Sequence, residues 1–304
     1  MTASLALLSD RLFMATVGVY VLALALHAAA LARAVAPAPV PVGAGPDEPA
    51  RPPRGWAERL GRMGVSLVVL GALLHAGSLA ARGFAAARWP LGNMYEFTSA
   101  ICLAAVVAWL VLLHRSARGS AAESSRLSAA GPFVLLPVVV LLFLAGTVLY
   151  AQAAPVQPAL QSYWLVVHVS TVCLSSGMLL VAGVASLLYL ASRAGWANRL
   201  PEADVLDRVA YRVTIVAFPV YTFAVIAGAI WAEAAWGRFW GWDPKETVAF
   251  VAWVVYAAYL HARATAGWRT GRAAWINVAG FLVIAFNLFF INMVVAGLHS
   301  YAGI

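Results

Sequence analysis

Hydrophobic positions gather into eight nearly continuous runs, at about 12–32, 62–81, 96–114, 131–151, 163–191, 213–232, 246–263 and 275–297. A helix needs about 20 mostly apolar residues to cross a hydrocarbon core about 30 Å thick, and each run is close to that length. The pattern predicts an all-α polytopic membrane protein with about eight transmembrane helices. Between the first two runs lies "APAPVPVGAGPDEPARPPRG", whose prolines and glycines favour an extended or flexible linker over a packed core. The predicted organisation is a first transmembrane helix at 1–33, a Pro-rich cytoplasmic linker at 34–60, and a seven-helix unit at 61–304. The N-terminal stretch has no basic segment before its apolar run, and Asp10 and Arg11 interrupt its start, so it is expected to be a retained helix.

Composition agrees with the pattern. Hydrophobic residues make up 63% of the 304 positions and charged residues only 11%, which is too apolar for an ordinary soluble domain. The net charge of +8 would suggest nucleic acid only if it were clustered on a soluble face. Here the basic residues lie between apolar runs, so no nucleic-acid partner is expected, and lipid surrounds the helices. Connectors one, three, five and seven, with the adjoining helix ends, carry 15 of the 20 arginines and lysines, and the opposite side carries 5. The positive-inside rule then puts both termini on the extracytoplasmic side of the cytoplasmic (inner) membrane. Cys102 and Cys173 fall inside apolar runs and form no CxxC, so they read as small packing residues.

On the same outer side is the connector "WAEAAWGRFWGWDPKETVAF", Trp231 to Phe250. Tryptophan gathers at membrane interfaces as a belt, which accounts for Trp89, Trp164, Trp253 and Trp275. A belt scatters its rings, whereas Trp231, Trp236, Trp240 and Trp242 fall within twelve residues, with Gly237 and Gly241 between them. Glycine permits positive φ and close backbone approach, so the segment can fold as a compact loop that presents several indole faces. Arg238, Asp243, Lys245 and Glu246 give it a polar edge, and Pro244 sits where the next helix can begin. Such a surface suits a large flat ligand. Haem, a quinone and a lipid headgroup all fit the pattern.

All six histidines lie within or at the ends of apolar runs, where an ionisable side chain is costly and points to function. His114, beside Arg115, reads as an interfacial charge, and His27, with no polar neighbour in sequence, as structural. His168 and His299 fall at the outer ends of the fifth and eighth runs, on the side of the tryptophan connector. Two neutral imidazoles beside an aromatic shelf could ligate haem iron from both faces. His75 and His261 form a second possible pair within the membrane. Their heights differ by roughly 10 Å at about 1.5 Å per residue, so that pairing needs tilt or a shifted boundary.

The segment "WGRFWGWDPKET" resembles the signature of the WWD-domain haem-handling proteins of cytochrome c maturation. The overall plan is similar to their CcsA/ResC type, the system II machinery often labelled CcsB in actinobacteria. Trp236, Gly237, Trp240, Trp242, Asp243 and Glu246 match the motif, and the likeness extends from about residue 60 to the end, including "LLHAGSLAARGFAAARWPLGNMYEF". The resemblance implies an extracytoplasmic WWD loop at 232–246. It implies haem b (iron protoporphyrin IX) at one or two sites, the external one ligated by His168 and His299 and a membrane one by His75 and His261. Positioning of the reactants would fall to Trp236, Trp240, Trp242 and Asp243. Arg82, Arg88, Arg238 and Lys245 are candidate partners of the propionates, and Asn93, Tyr95 and Glu96 resemble a family segment near the entry.

The implied activity is export of haem across the membrane and its covalent attachment to the CxxCH thiols of apocytochrome c, as a haem lyase or synthase acting with a ResB-like membrane protein. A chain without a thiol pair would leave the thiols to the substrate, kept reduced by a thioredoxin-like partner. Two alternatives stay open: a haem transporter or chaperone without ligase activity, and a b-type electron-transfer membrane protein.

Overall fold

A computed structural model describes residues 2–35, 55–119, 127–156, 158–196, 200–268 and 271–299. Eight principal helices follow one another: α1 (Thr2–Val35), α2 (Gly55–Ala86), α3 (Met94–Gly119), α4 (Gly131–Thr147), α5 (Tyr163–Ala191), α6 (Ala203–Trp236), α7 (Pro244–Ala264) and α8 (Gly271–Phe286). No strand occurs among the described residues. Among the described residues seven helices are long and apolar enough to cross a membrane, α8 counting with its continuation to Val294, and α4 is a shorter apolar helix. A helix satisfies its own backbone hydrogen bonds, which is the requirement hydrocarbon imposes on a spanning segment.

The expected runs and the observed helices agree in number and order, and they differ at the boundaries. α6 starts ten residues before the run at 213 because Val205, Leu206, Val209, Ala210 and Val213 are buried at helical spacing among charged residues. A search for continuous apolarity passes over such an amphipathic turn. α2 begins at Gly55, so residues 55–60, assigned above to the linker, are helical. Residues 34 and 35 likewise belong to α1, and the rest of the linker, 36–54, lies outside the described residues.

Side-chain hydrogen bonds show which helix ends meet. Ser9 in α1 donates to the Ser78 carbonyl in α2, and Tyr150, just past α4, donates to Asp10. The Trp89 indole N–H donates to Ser170 in α5, and Asn292 beyond α8 reaches Met94 at the start of α3. One end of the bundle therefore gathers the starts of α1, α3, α5 and α7 and the ends of α2, α4, α6 and α8. At the other end Arg263 of α7 pairs with Asp207 of α6 at 2.5 and 2.8 Å. His27 is buried there between α2 and α4, where Gly64 and Gly131 leave room for its ring. α1 packs along α2, α5 along α6, and α3 against α5.

Three local devices shape the first end. α6 stops at Gly237, whose φ of +71° caps the helix while its N–H bonds the Glu233 carbonyl. Five residues later Trp242 also has a positive φ, +58°, an uncommon conformation for a bulky residue. α8 passes into a π turn at Asn287–Ile291 and a last helical turn at Asn292–Val294. Such insertions re-aim side chains and recur at functional sites. Here they bring Asn287 and Asn292 against the first turn of α7, with Asn287 donating to the Lys245 carbonyl at 3.2 Å.

Candidate functional site

A cleft opens at this end of the bundle, and His168 and His299 both line it. Its walls are largely apolar and aromatic: Phe97 from α3, Leu165 from α5, Tyr221 and Trp231 from α6, and Trp236, Phe239 and Trp240 around the α6–α7 connector. Lys245, Glu246, Asn287 and Asn292 supply polar groups. A mostly apolar concavity with a few convergent polar groups is the usual form of a ligand site.

Both imidazoles are oriented through the same ring nitrogen. Nδ1 of His168 lies 2.8 Å from the Ala224 carbonyl. A carbonyl only accepts, so this nitrogen carries the proton and Nε2 holds the lone pair. Gly228, one turn beyond Ala224, makes the approach possible, since a Cβ there would meet the ring at 2.7 Å. Nδ1 of His299 lies 2.8 Å from Asp243 Oδ2, which again assigns Nε2 as the lone-pair nitrogen. A histidine whose other nitrogen is fixed by an oxygen acceptor is the arrangement found around ligated metals.

Asp243 links the motif to its histidine. It caps α7: its carboxylate accepts the Lys245 N–H, and Glu246 reaches back to the Asp243 N–H in a capping box. The Glu246 carboxylate also takes the Gly241 N–H, at 2.9 Å, which closes the loop. The other Asp243 oxygen accepts the Leu298 N–H at 2.8 Å. One carboxylate thus pins the start of α7, the segment after α8 and the His299 ring. Burial alone would raise its pKa, but the bonds from Leu298, His299 and Lys245 hold it below the usual carboxylate value. For His299 burial is the largest influence, and with the nearby Lys245 charge it lowers the pKa to about 4. The ring is neutral near pH 7, the state that ligates metal.

The indoles divide. Trp236 and Trp240 line the cleft, as the motif suggested. Trp242 does not line it: the side chain is 66% exposed and lies edge-on to Trp240 and Phe250. Trp231, which stands before the motif, is the most buried of the four at 2%. Its ring is nearly parallel to His168, with centroids 6.4 Å apart, and 6.0 Å from His299. The sequence signal for Trp231 was weak because it falls within an ordinary apolar helix, where a core role is the simpler reading. Trp164, one turn before His168, is partly exposed and is not part of the cleft wall.

Arg82 and Arg88, expected as propionate partners, are committed elsewhere. Glu96, fully buried at the start of α3, takes both guanidinium groups at 2.7 Å. Arg82 is 1% exposed, pairs also with Asp10, donates to the Ala151 carbonyl, and lies over the Tyr95 ring at 4.6 Å. Neither arginine lines the cleft. The network shapes it indirectly, because Glu96 also accepts the Gly92 N–H and Asn93 caps α3, fixing the wall formed by 91–94. Arg238 lies over Gly241 and is likewise not among the lining residues. Of the four cations considered, Lys245 alone lines the cleft.

The structure does not bring His75 and His261 together. His75 is fully buried; its Nε2 lies 2.7 Å from Ser99 Oγ, Tyr20 packs edge-on to it, and its Nδ1 has no hydrogen-bond partner. His261 is exposed on α7. At about 1.5 Å per residue, His75 lies about 16 Å from the cleft end of α2 and His261 about 25 Å from that of α7. α2 packs on α1 and α3, and α7 on α6 and α8. The height mismatch expected from the sequence persists.

Fold and site together define a polytopic helical membrane protein with an aromatic cleft at one end, furnished with two preoriented neutral imidazoles. The family model "Cytochrome C assembly protein" matches residues 91–299. The chain is 34% identical over 264 residues to "Cytochrome c biogenesis protein CcsA" of Synechococcus sp. (strain CC9902), covering 77% of this chain and 85% of that protein. It is 36% identical over 243 residues to the protein of that name from Chlamydomonas reinhardtii, covering 79% and 67%. It therefore belongs to the cytochrome c assembly protein family, of the CcsA/ResC type. A solved structure, "Cytochrome c Heme Lyase CcmF", matches with a TM-score of 0.65 over 93% of this chain. At 18% identity that likeness concerns the fold, and the chain spans about half of that protein's length, 46%.

Proposed function

We propose that the protein binds haem b in this cleft, with His168 and His299 as axial ligands and Trp236 and Trp240 against the macrocycle, and presents it to apocytochrome c for covalent attachment. Membership of the family supports a role in cytochrome c maturation. The observation that carries the haem reading is the pair of imidazoles in one aromatic cleft, each with Nδ1 held by an oxygen acceptor and Nε2 left as the lone-pair nitrogen.

In this reading haem is the cargo and supplies the vinyl groups to which the thiols add. The chain's own residues position it. The aromatic walls hold a flat ring, Asp243 keeps the His299 ring in place, and the apolar lining excludes water from the reacting edge. Cys102 and Cys173 are buried and unpaired, so the thiols come from the CxxCH segment of the substrate. A thioredoxin-like partner keeps them reduced, and a ResB-like membrane protein completes the synthase. Haem reaches the cleft from the cytoplasmic side, with the loop on the extracytoplasmic face of the cytoplasmic membrane.

The test is maturation of a reporter apocytochrome carrying one CxxCH segment, in cells that depend on this chain and its partner. Covalent haem on the reporter is expected with the wild-type chain and strongly reduced with His168→Ala or His299→Ala. Covalent product that persists without the chain would overturn the reading. Haem delivery without thioether formation would leave a carrier in place of a ligase.

A further inference from the structure

One charge in the cleft makes no ion pair among the described residues, although the Asp243 carboxylate acts on it from beyond ion-pair distance. Lys245, the only lysine in the sequence, sits in the first turn of α7, where the positive end of the helix dipole disfavours a cation. Its ammonium donates to Asn292 Oδ1 and lies 5.9 Å from the centre of the Phe97 ring. Among the described residues no ion pair at 4 Å or less involves it. The two acidic groups nearest in sequence are engaged: Glu246 with the N–H groups of Gly241 and Asp243, and Asp243 with Leu298, His299 and the Lys245 N–H.

Asn292 is fixed in turn. Its Nδ2 donates to the Leu288 carbonyl at 2.9 Å and to Met94 Sδ at 3.2 Å, so its Oδ1 is the atom left to face the ammonium. The π turn of α8 is what places that amide at the cleft wall. A cation held in an apolar wall at the wrong end of a helix is costly without an anion, and a neutral amide oxygen offsets only part of that cost.

We propose that the Lys245 ammonium, held by Asn292, is the receiving site for a carboxylate of the ligand in this cleft. This rests on the haem reading above, in which the carboxylate is a propionate. Protoporphyrin carries its propionates on one side of the ring and its vinyl groups on others. Anchoring a propionate at the wall between α3 and the end of α8 then fixes the rotation of the macrocycle between the histidines. It also keeps the vinyl groups away from that wall.

The test uses the purified full-length chain in detergent, titrated with haem and separately with haem dimethyl ester, following the Soret band. The wild type should bind the free acid at least about tenfold more tightly than the ester, the size expected for a charge-assisted hydrogen bond in a partly dry site. Lys245→Met should weaken the acid to the level of the ester and leave the ester unchanged, while Lys245→Arg keeps most of the preference. His299→Ala should weaken both forms alike. Equal binding of acid and ester by the wild type, a comparison that needs no variant, would overturn the proposal and leave the haem reading standing. A wild type that binds neither form would overturn both.

Discussion

A Cβ at position 228 would lie 2.7 Å from Nδ1 and Cε1 of His168, closer than real contacts allow. Gly228→Ala should therefore push the His168 ring from its carbonyl acceptor and weaken haem binding by about tenfold or more, as loss of an orienting partner does at metal sites. Alanine is the better helix former, so the helical content should not fall; circular dichroism and a haem titration on one sample check both halves. His299 gives a pH prediction. Its pKa is lowered from 6.5 to about 4, so as pH falls through 6.5 the unfolded chain takes a proton that the folded chain refuses. Stability should decline between about pH 6.5 and 4, and less so in His299→Gln, as read from melting temperatures across that range. Both histidines were legible because an ionisable residue at a helix end in an apolar chain stands out. The opposite roles of Trp231 and Trp242 were not. They depend on where α6 ends and on the positive φ of Trp242, and indole spacing encodes neither.

At the scale of elements, the site is assembled by helix ends and their caps. Asp243 begins α7 and holds His299. Glu96 stands at the start of α3, binds arginines 8 and 14 residues before it, and shares Arg82 with Asp10 of α1. Removing one member of a buried charged group leaves the others uncompensated. Glu96→Gln should cost about 3–5 kcal/mol by that principle and loosen the 91–94 wall, measurable as a lower melting temperature and faster proteolysis. The string "WDPKE" marked the start of α7 through Pro244; the capping box itself, an Asp three residues before a Glu, is a local signal that was not used, and the structure supplies it. The Glu96 group was hidden because its members come from three helices and the α2–α3 connector, and each arginine alone looks like an interfacial cation. The π turn was equally hidden: "NLFFI" reads as uninterrupted apolar helix, and only packing against α7 shows the inserted residue.

Across the whole molecule, the helix starts and ends that build the cleft all lie at one end of the bundle, and the distribution of arginine argues that this end faces away from the cytoplasm. A reporter fused after Ile304 should then be active only in its extracytoplasmic form, and one inserted in the 36–54 segment only in its cytoplasmic form; the reverse pair would overturn the orientation. In the proposed function one cleft holds one haem between two histidines of distant helices. The most direct measurement of this is the absorption and electron paramagnetic resonance spectrum of ferric haem bound to the purified chain. The wild type should give a six-coordinate, low-spin, bis-imidazole spectrum, converted to high spin or lost in both His168→Ala and His299→Ala. A low-spin bis-imidazole spectrum that survives either substitution would contradict it.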